Sequence, residues 1–154
     1  MGHFFVMSMR FNKSTAADFG FLSNDLYTAI NPNDGSIWTK CTLYDFGWGK
    51  ENGFYKTPLP SFEYLFDLAL YSQDREDMYG AAAIIVEKYA DELLCQCETL
   101  MNDPTQKNEF KKLSKLFQLD MAVNRCSVLK KTYTQIQNDF LRWKNVSIAA
   151  MKLK

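Results

Sequence analysis

The spacing of hydrophobic side chains predicts helices throughout the chain after residue 60. Ser61 has a helix-capping side chain and precedes residues 62–72, whose apolar positions fall on one face of a helix. Asp74 or Asp77 then begins a longer run that ends near residue 101, "DMYGAAAIIVEKYADELLCQCETLM". This run is apolar around so much of its circumference that we expect it at the centre of a core.

Further helices are expected beyond the break at residues 102–105. Pro104 suits the start of a helix, and the apolar spacing continues through residues 110–117. Residues 119–151 are interpreted as one long helix or as two. The inward positions expected in this segment are Met121, Val128, Tyr133, Ile136, Phe140, Trp143 and Val146. Short turns between four or five helices favour antiparallel neighbours.

The residues before 60 carry weaker patterns. Residues 3–11 alternate loosely between apolar and polar, which is typical of a short strand or an extended arm, and residues 36–44 alternate again. A lone strand needs a partner, so the two segments are expected to pair. Between them, residues 14–31 show helical spacing after Ser14 or Thr15, which predicts a helix with one of these residues as its cap.

These patterns predict a mainly α fold. We expect an antiparallel helical domain of about five to six helices, with a short β or extended element in residues 3–44. A HEAT-like arrangement of these helices is one candidate. At 154 residues the chain fits a single domain over 1–154. Within it we expect a mixed N-terminal part over 1–59, an aromatic loop at 44–60, and a helical core over 60–154.

The composition is typical of a folded cytoplasmic protein. The chain is 47% apolar and 23% charged, which excludes the disordered class. No apolar run approaches the length of about 18–20 residues that spans a bilayer. The segment "HFFVMSM" follows no basic region and has no small-residue cleavage site, so a signal peptide is not predicted.

A net charge of zero conceals an uneven distribution along the sequence. Residues 1–59 carry five acids and five bases. Residues 60–103 carry ten acids and two bases, a net charge of −8, whereas residues 104–154 carry eleven bases and three acids, a net charge of +8. The predicted helical part is therefore strongly bipolar.

Two interpretations of this bipolar pattern stay open. Acidic and basic helices can lie antiparallel and neutralise each other at their edges, where exposed pairs are worth about 0–1 kcal/mol. Alternatively, one surface keeps a single sign. An acidic surface would attract a basic protein partner, and a basic surface over 107–131 would contact phosphates. The pI near 6.6 makes nucleic acid an unlikely partner of the whole chain.

The residues of common catalytic sites are missing. The single histidine, His3, lies near the terminus, so histidine-based acid–base catalysis and histidine-ligated metal are not expected. The segment "GWGKENG" lacks the spacing of a phosphate-binding loop, and no nucleotide motif is present. Catalysis by carboxylates alone stays open, although the acids of "DREDMY" are more simply explained as helix-capping residues. No cofactor and no metal are expected.

The four cysteines are expected to be reduced and largely buried. Cys95 and Cys97 stand two residues apart in a predicted helix, where their side chains point in nearly opposite directions. Neither they nor Cys41 and Cys126 show the spacing of a zinc site.

The stretch "YDFGWGKENGFYKTPLP", residues 44–60, concentrates aromatic side chains and glycines. One interpretation is a connector whose Tyr44, Phe46 and Phe54 cover the open end of the helical core. The other is a recognition loop, because rigid aromatics beside mixed charges are typical of binding hot spots. The residues expected to contact a partner in the second interpretation are Asp45, Trp48, Lys50, Glu51 and Tyr55.

Residues 60–100 resemble the α-helical, HEAT-like immunity proteins of bacteria. The resemblance rests on "FEYLFDLALYS", an acidic turn, and "YGAAAIIVEKY", in which small residues at 81–83 allow close helix approach. It implies a small non-enzymatic cytoplasmic protein that neutralises a cognate toxin by covering its active site.

The leading hypothesis is therefore a protein-binding inhibitor of the immunity type whose partner is a toxin domain with a basic surface. Trp48, Tyr55 and several acids are expected to stay exposed for this contact, the candidate acids being Asp74, Glu76, Asp77, Glu87 and Asp91. One alternative is a helical adaptor or regulatory subunit that contacts nucleic acid through residues 107–131. Another is a small enzyme that depends on carboxylates.

Overall fold

The computed structural model describes residues 4–7, 15–45 and 50–154. The chain divides into two compact units, residues 1–84 and residues 85–154, and the division falls inside one helix. Each unit is considered by itself below. The assignment of the whole chain to a single domain stays a prediction.

The first unit contains a five-stranded antiparallel sheet with strand order β1-β5-β4-β3-β2. The strands are β1 (Phe5–Met7), β2 (Leu22–Ser23), β3 (Thr28–Ile30), β4 (Ile37–Asp45) and β5 (Lys50–Lys56). Alternating side chains in β4 place Trp38 on one face and Ile37 and Thr39 on the other. The described chain is therefore α+β, and the predicted mainly α, HEAT-like fold is wrong.

The helix predicted over residues 14–31 is replaced by a 3-10 helix and two strands. The 3-10 helix Ala16–Phe19 ends at Gly20, which adopts the left-handed conformation with φ 76°. Further on, the Asp25 carboxylate accepts hydrogen bonds from the backbone N–H groups of Tyr27 and Thr28, both at 2.8 Å. These bonds fix the turn between β2 and β3. Local turn chemistry therefore overrides the helical spacing of this segment.

Aromatic side chains form the core on one face of the sheet. Val6, Phe54 and Trp38 point to this face from three neighbouring strands and are buried. Phe21 completes the cluster, with its ring centroid 5.0 Å from that of Trp38 and 5.9 Å from that of Phe54. Aromatic residues that the sequence placed in a connector thus build the sheet.

Helices α1 (Phe62–Tyr71) and α2 (Arg75–Lys88) follow the sheet. The Ser61 side chain caps α1 as predicted, accepting from the backbone N–H of Tyr64 at 3.3 Å. In α2, the Asp77 carboxylate accepts from the backbone N–H groups of Phe4 and Phe5, at 2.9 and 3.0 Å. A side chain of α2 thereby holds the edge strand β1.

The second unit is helical. It contains α3 (Ala90–Met101), a 3-10 helix (Pro104–Gln106), α4 (Lys107–Phe117) and α5 (Tyr133–Met151), together with the end of α2. The helix predicted to run through to residue 101 is in fact two, because Tyr89 leaves the helical conformation. The helix predicted from residue 119 is also wrong, since residues 118–132 contain no regular element.

None of the helices in the described part of the chain combines the length and apolarity that a membrane crossing requires.

Gly80 provides the tightest packing contact between β1 and α2. A Cβ atom at this position would lie 2.4–2.7 Å from three atoms of Phe5, including its Cβ. We predict that Gly80→Ala lowers the free energy of unfolding by about 1–3 kcal/mol, because the overpacking outweighs the gain in helix propensity of about 1 kcal/mol. Urea unfolding measures this change.

The control for Gly80→Ala is a double-mutant cycle with Phe5→Ala. In the Phe5→Ala background, Gly80→Ala is expected to destabilise less, because the two closest atoms belong to the ring and are gone, whereas the Cβ at 2.7 Å remains. Equal destabilisation in both backgrounds would show that Phe5 is not the neighbour that restricts this position.

Candidate functional site

A long connection between α4 and α5 is the most distinctive feature of the second unit. Residues 118–132, which we call the strap, comprise 15 residues without a helix or strand. Irregular loops longer than about 12–15 residues are uncommon in compact domains, and they usually carry a function or are disordered. Because many hydrogen bonds hold the strap in place, disorder does not explain its length, and a functional explanation is favoured.

The strap lies along α5 and is bonded to every fourth residue of that helix. Ser147 Oγ donates to the carbonyl of Asp120 at 2.8 Å, and Trp143 Nε1 donates to Cys126 Sγ at 3.2 Å. Lys131 Nζ donates to Asp139 Oδ2 at 2.6 Å. Residues four apart share one face of a helix. The strap therefore runs antiparallel to α5 over a single stripe of that helix.

Arg125 organises the first half of the strap. Its guanidinium lies 4.8 Å from the centroid of the Trp143 ring. The same group donates to the carbonyls of Gln118, Met121 and Val123, at 2.9, 3.2 and 3.2 Å. Partial burial lowers the pKa of Arg125. The strap is thus closed around one cation that rests on a buried indole.

The outer side of the strap carries several large apolar side chains. Leu129 is 78% exposed and Tyr133, the first residue of α5, is 77% exposed. Met121, Val123 and Val128 are also exposed, whereas Arg125, Cys126 and Lys131 point inward. Polar residues such as Ser127 and Lys130 are exposed among them, so the strap presents a mixed surface that is rich in apolar groups.

Local sequence explains why this segment leaves the helical conformation. Gln118 and Lys130 adopt positive φ values of 51° and 60°, which interrupt a helix. The Asn124 side chain accepts from the backbone N–H of Cys126 at 3.0 Å, and Ser127 accepts from that of Leu129 at 3.2 Å. Such bonds compete with helix formation. Thr132 then caps α5, accepting from the N–H of Gln135.

Two acids and a thiol surround the end of the strap. One ligand atom each of Asp91, Cys126 and Asp139 lies within 4.8 Å of the other two. Lys131 Nζ bonds to Asp91 at 3.0 Å as well as to Asp139, and these partners raise its pKa. The Asp91 pKa is lowered, first by its hydrogen bond to Cys126 and then by Lys131. The ammonium group of Lys131 therefore supplies the positive charge that balances the two carboxylates of this cluster.

The cysteine of this cluster stays a neutral thiol at physiological pH. Burial, followed by its bond to Asp91, raises the pKa of Cys126 to about 12. Metal ligation by cysteine requires the thiolate. The chemistry of the donor set therefore favours a structural anchor for the strap over a metal centre.

A second ion pair joins α3 to α5. Arg142 Nε donates to Glu98 Oε2 at 3.1 Å, and Arg142 also contacts the other carboxylate oxygen of Glu98 through a second nitrogen. Lys131 adds its bond to Asp91 at the start of α3. At these positions acidic and basic segments neutralise each other, as the first interpretation of the bipolar sequence required.

The acids predicted to contact a partner lie in different environments. Asp77 is only 1% exposed and bonds to β1, so its expected exposure is wrong. Asp74 is half-buried and accepts from the N–H of Asp77 at 3.0 Å, which makes it the cap of α2. Glu76 is half-buried, Glu87 is exposed, and Asp91 anchors the strap.

The predicted aromatic loop at 44–60 is largely a β-hairpin. Asp45 lies opposite Lys50 in the pairing of β4 with β5, and Glu51 lies opposite Tyr44. Tyr55 is half-buried and opposite Thr39. Phe54 is buried in the sheet core. Trp48 falls outside the described residues.

The side of the sheet that carries Tyr55 is partly open in the first unit. Leu22, Ile30 and Ile37 form a row across three strands on this side, with Leu22 and Ile37 exposed. Leu26 and Tyr27 at the adjoining turn are 79% and 67% exposed. These residues form a second exposed apolar surface, which serves below as a control.

Sequence reasoning missed the strap. It assigned Met121, Val128 and Tyr133 to the inside of a helix, and all three assignments are wrong. The useful signals were Asn124 and Ser127, which favour turns, and the Thr132–Gln135 capping box, which marks the true start of α5.

Comparison with the profiles of known protein families, with curated proteins and with solved structures finds no match to this chain. The class of the protein must therefore be inferred from the geometry of the strap and of its anchoring residues.

The buried thiols predict a loss of stability in alkali. Burial raises the pKa of Cys97 to about 12, as it does for Cys126. Above pH 9 the unfolded chain releases these protons and the folded chain keeps them. The free energy of unfolding should therefore fall between pH 9 and 12, by up to about 1.4 kcal/mol per pH unit for each thiol. Urea unfolding across this range measures the slope.

The control for this prediction is a variant with Cys97→Ala and Cys126→Ala. It should show a shallower slope than the original chain, because only the thiol contribution has been removed. An identical slope would assign the alkaline loss to other groups.

Proposed function

We propose that this protein acts by binding another protein, and that the outer side of the strap is the contact surface. The observation that carries the proposal is the concentration of exposed apolar side chains in residues 118–132. Met121, Val123, Val128 and Leu129 are exposed, while Arg125 and Lys131 hold the strap to α5.

The strap has the properties of a preorganised interface. Leu129, Val128 and Met121 are exposed while the strap is bonded at three points to α5, through the Asp120 carbonyl and the side chains of Cys126 and Lys131. A rigid contact surface loses little conformational entropy on association. Exposed apolar groups concentrated in one segment typically mark interaction sites. Tyr133 adds an aromatic side chain of the kind enriched in hot spots.

The chemistry of the same region supports binding rather than catalysis. Among the described residues, Asp91 and Asp139 are bonded to Lys131 and Asp120 is paired with Lys154, and the Cys126 thiol is protonated at neutral pH. Such groups are poor nucleophiles and poor general bases. We therefore propose a non-enzymatic role.

A narrower proposal is that the partner is a bacterial toxin domain that this protein neutralises by covering its active site. The resemblance of residues 60–100 to helical immunity proteins supports this class. Asp77 is buried and Asp91 is paired with Lys131, so these two acids give little support to an acidic contact surface. In this form of the proposal the strap makes the principal contact.

The test is affinity capture from the native host, followed by measurement of the dissociation constant with the purified partner. We predict that Val128→Ser together with Leu129→Ser weakens binding at least tenfold, the effect expected when hot-spot side chains are removed. The matched control is Leu26→Ser together with Tyr27→Ser in the first unit, which should change the affinity less than threefold.

Both double variants alter exposed side chains, so thermal unfolding should show that each retains its fold. Unchanged affinity of the strap variant for every captured partner would contradict the proposal. Co-expression with the toxin encoded by a neighbouring gene tests the narrower form. Cell survival that depends on Val128 and Leu129 would support immunity, and cell death in the presence of the original chain would exclude it.

A further inference from the structure

Helix α4 carries a row of lysines on its solvent face. Its buried side consists of Phe110, Leu113 and Phe117. Lys107, Lys111 and Lys115 recur at intervals of four on the opposite side, and all three are exposed. The 11-residue helix is about 16 Å long. Lys112 adds a fourth exposed cation beside this row.

These lysines differ from Lys131, Arg142 and Lys154, which are each bonded to an acid. Within the part of the chain that the structure describes, Lys107, Lys111 and Lys115 have no acidic partner. Other exposed lysines of the second unit, such as Lys144, stand singly, whereas those of α4 form a row. The bipolar sequence is therefore neutralised at three positions but not along α4.

The acids closest in sequence to α4 are already engaged. Asp103 accepts from the N–H and the hydroxyl of Thr105, at 3.0 and 2.7 Å, and Asp120 is paired with Lys154. Glu109 is half-buried on the flank of the helix. The solvent face of α4 thus keeps a single sign, which attracts polyanions.

We propose that the solvent face of α4 binds the phosphate backbone of a nucleic-acid duplex without reading its sequence. A duplex presents one negative charge per about 1.7 Å of its axis, so lysines spaced about 6 Å apart along α4 can each meet a different phosphate. The row contains no arginine for bidentate base contacts and no aromatic residue for stacking on unpaired bases. Lysine instead contacts phosphate as a point charge. This surface is separate from the strap, so neither proposal depends on the other.

The experiment measures the fluorescence anisotropy of a labelled 20-base-pair DNA duplex titrated with the full chain between 20 and 200 mM salt. Three phosphate contacts predict that the affinity falls about 40-fold between 50 and 200 mM salt. Lys111→Gln together with Lys115→Gln should reduce this loss to about fourfold, since each lost lysine lowers the salt slope by about one.

The matched control removes two exposed lysines elsewhere, by Lys40→Gln together with Lys144→Gln, and should retain the 40-fold loss. Equal effects of the two double variants would overturn the proposal, because net charge would then explain the binding. No binding at 20 mM salt would also overturn it. Competition by poly-glutamate as effective as that by unlabelled duplex would assign α4 to an acidic protein instead.

Discussion

The buried indole of Trp143 is the interaction on which the second unit depends. It is the largest fully buried side chain among the described residues, and it contacts the strap in two ways. Its N–H donates to Cys126, and its ring lies against the guanidinium of Arg125. Arg125 in turn binds three carbonyls of the strap. One core residue of α5 thereby determines the path of a 15-residue connection.

This anchoring explains how exposed apolar groups can be held in place. A surface loop with Met121, Val128 and Leu129 exposed would ordinarily collapse to bury them. Here the polar contacts to Asp139, Trp143 and Ser147 keep the backbone along α5. The free protein therefore carries the free-energy cost of exposing these apolar side chains. A partner that covers them removes this cost, which favours binding.

The parts of the fold governed by local pattern could be predicted from sequence. Ser61 caps α1, Asp74 caps α2, and the apolar spacing around Phe110 and Phe117 marks α4. The sheet could not be foreseen in full, because β2 and β3 have only two and three residues and owe their pairing to the turn at Asp25. Strand pairing is a non-local property that periodicity does not encode.

The candidate site was harder to predict than the fold, because its contacts join residues that are distant in sequence. Helical spacing in residues 119–133 suggested buried positions, but the inward residues proved to be Arg125, Cys126 and Lys131. Their partners Asp91, Asp139 and Trp143 lie on two helices that the sequence alone cannot place side by side. Charge totals left open whether the acids and bases would pair, and they did not indicate which residues would do so.

The central claim is that the strap is held rigidly with its apolar side chains outward, and backbone ¹⁵N relaxation tests it most directly. Residues 119–131 of the isolated protein should show order parameters near those of a rigid backbone, about 0.85. Values below about 0.6 across this segment, with α4 and α5 remaining rigid, would contradict the account.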